Sequence, residues 1–98
     1  MRYIITENRL EKMAIRFLDN EYGDLEVSKS ARGDRTYFRR DGRIIMEKGD
    51  DSRYIWVRHD KIWVDLENMF GLDHEGVTKV IKKWVDEKYD IQAEPGAF

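Results

Sequence analysis

The side chains of this chain that are able to do chemistry are charged and aromatic, and none of its 98 residues is cysteine. That excludes disulfides, thiolate metal sites and cysteine nucleophiles. Each of the two histidines stands beside a carboxylate, as His59-Asp60 and His74-Glu75. Adjacent residues on a strand or helix point in different directions, so neither pair is a ready acid–base couple. The chain contains no HExxH spacing, no glycine-rich phosphate loop and no serine elbow. Asp50-Asp51 has a cation's charge preference but not the further spaced oxygens of a calcium loop, which suits a solvated turn. Arg32-Gly33-Asp34 matches a tripeptide of cell-surface attachment, yet its neighbour Ala31 and its own glycine are accounted for by turn chemistry. The expectation is a protein that is not an enzyme and holds no metal or cofactor.

Recognition chemistry is better represented. Between Lys29 and Lys61 there are ten Lys/Arg against six Asp/Glu, a balance of +4, so the flanking segments carry −6 of the net charge of −2. In this stretch Arg35, Arg39, Arg40, Arg43, Arg53 and Arg58 interleave with Tyr37, Tyr54 and Trp56. Exposed aromatic and arginine side chains are typical of protein contact surfaces. The same pair of residue types stacks bases and neutralises phosphates, which suits single strands or RNA. Cross-strand pairing with Glu47, Asp41 or Asp60 would consume part of the positive charge.

The elements that position these residues follow from periodicity. Thr6 is placed to cap a first helix, with Ile5 and Leu10 as its hydrophobic staple, a stripe of Leu10, Met13, Ala14, Phe17 and Leu18, and Gly23 as a left-handed terminator. After Gly23 the period changes to two. Leu25 and Val27 mark one strand, Arg35 to Arg40 a second, Arg43 to Lys48 a third and Arg53 to Arg58 a fourth. Asp41-Gly42 between two of them is a strong hairpin signal, because both residues tolerate the positive φ of a type I′ turn. Phe38, Ile44, Met46, Ile55 and Val57 are expected on the core face, with Tyr37, Ile45, Tyr54 and Trp56 on the other. A slip of one residue would exchange the two faces.

Asp60 is placed to cap a helix over Lys61 to Phe70, and Asp73 to cap another over His74 to Tyr89, with Leu72 and Val77 as a staple. Ile62, Trp63, Leu66, Met69 and Phe70, then Val77, Val80, Ile81, Trp84 and Val85, form the facing stripes. Leu66, Gly71, Leu72, Val77 and Val80 have helix-turn-helix spacing. Glu67 stands where that motif prefers a small residue, and the second helix leads with Asp73 and Glu75, which phosphates would repel. The fold expected is α+β: an N-terminal helix, a four-stranded antiparallel meander, and a C-terminal helical hairpin packed on one sheet face. Residues 1–91 form that single domain and 92–98 a flexible tail. No apolar run suits a membrane span or signal peptide, so the expected location is intracellular and soluble.

Ile5-Thr6-Glu7, the run Lys61 to Leu72 (KIWVDLENMFGL) and Ile81 to Tyr89 (IKKWVDEKY) resemble small proteins of marine tailed bacteriophages. The resemblance implies a viral origin, in virion or host cytoplasm, and no particular residue role. The expected function is a non-enzymatic interaction module, a phage accessory or virion-associated protein, binding a protein partner or its own copy through Arg35, Tyr37, Arg39, Tyr54, Trp56 and Arg58. The alternative is nucleic-acid binding, with Arg40, Arg43, Lys79, Lys82 and Lys83 added from the strands and the helical hairpin.

Overall fold

The computed structural model describes residues 7–97, with side chains placed from residue 9 to residue 96. The order is α1 (Glu7–Tyr22), β1 (Glu26–Lys29), β2 (Arg35–Arg40), β3 (Arg43–Gly49), β4 (Tyr54–Val57), α2 (Asp60–Phe70), α3 (His74–Tyr89) and β5 (Glu94–Ala97). It is an α+β fold in which the helices pack on the sheet, as expected. Among the described residues, however, the sheet has five strands in the order β1-β2-β3-β4-β5, and the last pairing is parallel.

That fifth strand corrects the expectation of a structureless tail from Gln92. A parallel neighbour needs a crossover, and α2 with α3 supplies it, returning the chain beside β4. Pro95 is tolerated because β5 lies at the sheet edge. The Glu94 amide donates to the Arg53 carbonyl at 2.8 Å, and the Glu94 carboxylate pairs with Lys82 of α3, so strand and helix are tied to each other. Gly96 lies under the Trp56 indole. A Cβ there would sit 2.8 Å from the ring's Cζ3. Because the clash is with two atoms of the Trp56 ring, Gly96→Ala should displace the ring at a cost of about 1–3 kcal/mol. Increased acrylamide quenching of Trp56, in a variant with the other two tryptophans replaced by phenylalanine, would show it.

The β2–β3 hairpin turns on Asp41 (φ 53°) and Gly42 (φ 79°), both left-handed as the dipeptide demands. Beyond the turn a bulge interrupts the ladder: Phe38 pairs with Met46 but Arg39 with Ile44, leaving Ile45 as the extra residue. Four of the five expected sheet core residues, Phe38, Met46, Ile55 and Val57, are fully buried. The fifth is corrected by the bulge. Ile45 is buried at 2% exposure and Ile44 is only partly so.

Helix boundaries repeat the same lesson in smaller form. The expected cap Thr6 and staple residue Ile5 lie outside the described residues. On α1, Ala14 and Leu18 are buried as the stripe predicts, but Met13 is exposed and Tyr22 takes a core position. Gly23 is not left-handed; a Cβ there would lie 2.1 Å from the Asp19 carbonyl oxygen, so the residue is needed for close approach. The cap of α2 is His59, with Asp60 the first helical residue, and Gly71 ends the helix in the left-handed conformation. Asp73 caps α3 as expected, its carboxylate accepting from the Gly76 amide at 2.8 Å.

Helix α3 carries the largest share of the helical core: Val77, Val80, Ile81, Trp84 and Val85 are all buried. It packs against α1, α2 and β5. At its C-terminal end Tyr89 lies 4.8 Å from Phe38 of β2 and 6.0 Å from Trp84, ring to ring, and its hydroxyl is buried with no hydrogen-bond partner among the described residues. Burial, then the carboxylates of Asp19 and Asp24, push this phenol up to about 12. An unfolded tyrosine ionises near pH 10. Between those values the unfolded chain has released a proton that the native state still holds, so stability falls as pH rises through the window and levels off above it. The expected loss is about 1–2 kcal/mol, discounted for the water that still reaches the ring. Tyr89→Phe should flatten that slope and change little at neutral pH, since the hydroxyl forfeits no hydrogen bond. Urea denaturation at about pH 8 and about pH 11 reads both effects.

Among the described residues no helix is long and apolar enough to cross a membrane.

Candidate docking face

Alternation along paired strands decides which residues share a surface. Phe38, Met46 and Val57 form one row across β2, β3 and β4, beneath the helices; the next row is Ser28, Tyr37, Glu47, Trp56 and Gly96, on the opposite face. Arg35 and Arg39 are two residues to either side of Tyr37, and Tyr54 and Arg58 two to either side of Trp56. All six residues singled out from the sequence therefore lie on the face turned away from the helices.

The centre of that face is Glu47, which is only 4% exposed although no helix among the described residues covers it. Arg35 approaches one carboxylate oxygen at 3.8 Å and Arg58 the other at 3.6 Å. Tyr37 and Trp56 flank it in register. The two arginine side chains remain 52% and 38% exposed, so each pair contributes about 1 kcal/mol or less to stability. The geometric consequence matters more. A shared carboxylate draws both guanidinium heads toward one point of the face, and any such bias lowers the entropy lost when a partner engages them.

The aromatic part is similarly pre-arranged. Tyr54 and Trp56 stack with centroids 5.8 Å apart and planes at 28°, and they remain 46% and 37% exposed. Arg39 lies 5.0 Å above the Tyr37 ring and donates to the Ser28 hydroxyl at 3.4 Å. Sequence reasoning named Glu47 only as a possible charge partner and missed that it organises the face. The signal was there: one acidic residue in β3, between β2 with its three arginines and β4 with Arg53 and Arg58 at its two ends.

The five residues of the nucleic-acid alternative do not form one surface. Arg40 and Arg43 face each other at the hairpin end, whereas Lys79, Lys82 and Lys83 belong to α3. Lys82 is paired with Glu94 and Lys83 with Glu11. The helical pair has the expected turn, but His74, at the start of its second helix, stacks on Trp63 at 5.3 Å with planes 13° apart. Arg32-Gly33-Asp34 forms the expected turn, in which the Ser30 hydroxyl donates to the Asp34 carboxylate at 2.8 Å. Asp50 pairs with Lys29 at 2.9 Å. Among the described residues no cluster of three or more metal-ligating side chains occurs.

The fold and this face together define an α+β domain with one helix-covered and one open sheet surface. In comparisons with known proteins, no family model, no curated protein and no solved structure matches the chain.

Proposed function

We propose that this protein is a non-enzymatic interaction module that docks a protein partner on the open face of its sheet. The observation that carries the reading is the Arg35–Glu47–Arg58 arrangement bordered by Tyr37, Tyr54 and Trp56. Two half-exposed arginines paired with one buried carboxylate beside a stacked aromatic pair bring together the residue types enriched at interface centres, aromatic rings and arginine. A role as a phage accessory or virion-associated protein agrees with the resemblance in the helices.

The test compares the wild type with an Arg35→Ser/Tyr54→Ser variant and a Lys79→Ser/Lys83→Ser variant as immobilised baits in extract of the native source. The reading expects one defined protein to be retained by the wild type and the helix variant and lost from the sheet variant. Retention of mixed RNA and DNA instead, weakening steeply with salt, would transfer the function to nucleic acid.

A further inference from the structure

At the β2–β3 hairpin end, away from the docking face, a cleft of about 330 Å³ is lined by Tyr22, Arg40, Asp41, Arg43, Ile45 and His59. Its defining feature is an arrangement that folding alone disfavours. Arg40 and Arg43 are direct cross-strand partners, and like charges in that position repel. Neither need be cationic for the turn, which Asp41-Gly42 already determines. Arg40 is held in place: its Nη1 donates to the Glu21 carbonyl at 2.7 Å and its guanidinium lies 5.6 Å above the Tyr22 ring. Tyr22 is in turn against His59, the rings 6.2 Å apart. Arg43 is exposed and among the described residues has no ion pair or side-chain hydrogen bond. The bulge that carries Ile45 into the cleft wall lies beside the same pair, and bulges re-aim side chains next to sites.

We propose that this cleft is a binding site for a phosphate-class oxyanion, as free phosphate or the terminal group of a small phosphomonoester, held between Arg40 and Arg43 with His59 at its side. The anion converts the repulsion of the pair into a shared attraction. Each guanidinium is a planar fork that matches two oxygens of a tetrahedral anion, and one donor of Arg40 engaged with Glu21 leaves others for the ligand. Asp41 at the rim, and Asp65 and Glu21 near the Tyr22 wall, oppose the anion, so binding requires both arginines.

The experiment is an NMR titration of the full chain with sodium phosphate, phenyl phosphate and sodium chloride at matched ionic strength, following the His59 ring and the arginine Nε resonances. Saturable shifts with phosphate or phenyl phosphate but not chloride are expected. Arg43→Ala should weaken binding by about tenfold or more, the loss of one charge-assisted fork, and Arg32→Ala in the exposed turn before β2 should not. Saturation by both ligands assigns the oxyanion itself; saturation by phenyl phosphate alone assigns a monoester. Because Arg43→Ala removes a like-charge contact, its melting temperature without ligand should not fall. Shifts that are linear and equal to those with chloride would overturn the proposal, as would unchanged affinity in folded Arg43→Ala.

Discussion

Trp84→Ala should cost about 3–5 kcal/mol, a large part of the stability of a domain of this size. Trp84 is 1% exposed on α3, and its indole N–H donates to the Asp19 carboxylate of α1 at 2.8 Å. Alanine would open a cavity where α1 and α3 meet over the sheet, and the surrounding residues relax into such a space only partly. A domain of this size is stable by about 5–15 kcal/mol in total, so the variant should be marginal at room temperature. Trp84→Phe separates the two contributions. It keeps most of the volume and loses the donor; Asp19, half exposed and 3.8 Å from Lys88, can recover solvent, so about 1–2 kcal/mol is expected. Urea titration of the three proteins measures both differences. A cost of about 1 kcal/mol or less for Trp84→Ala would mean that the contact between α1 and α3 is not the centre of the core.

The second large effect concerns binding and leaves the fold intact. Tyr54→Ala should weaken partner binding by about thirtyfold or more, which is about 2 kcal/mol, as for the aromatic anchors that dominate interfaces. Tyr54 is the better probe than Trp56 because it is the more exposed of the stacked pair, whereas the Trp56 indole also covers Gly96 of β5. Removing Trp56 would confound lost contact with a loosened edge strand. Calorimetry against the captured partner reads the affinity, and circular dichroism shows that the variant is folded. Full retention of affinity by folded Tyr54→Ala would remove the aromatic pair from the interface.

How much of this was legible in the sequence depends on the range of the interactions involved. Local signals served well: the Asp41-Gly42 turn, the Asp73 cap and the left-handed Gly71 each follow from the conformational preferences of one or two residues. The common face of Arg35, Tyr37, Arg39, Tyr54, Trp56 and Arg58 was also legible, because strand periodicity places them there in any register that buries Phe38, Met46 and Val57. Ile44 and Ile45 exchanged places because a bulge is a property of two paired strands, and neither strand alone announces it. Strand β5 was illegible for a related reason. Glu94-Pro95-Gly96-Ala97 has no strand propensity, and it is held by the waiting edge of β4, the ion pair to Lys82 and the Trp56 ring over Gly96. The cleft at Arg40, Arg43 and His59 needed the third dimension as well, since the histidine arrives from the β4–α2 junction.

The most direct test of the docking face is site-specific photo-cross-linking in the native source. A photoreactive phenylalanine would replace Tyr37 or Tyr54 on the open sheet face, or Val64, which is 48% exposed on α2. The same partner adduct is expected from positions 37 and 54 and none from position 64. Adducts from position 64 alone, or from none of the three, would contradict the docking face.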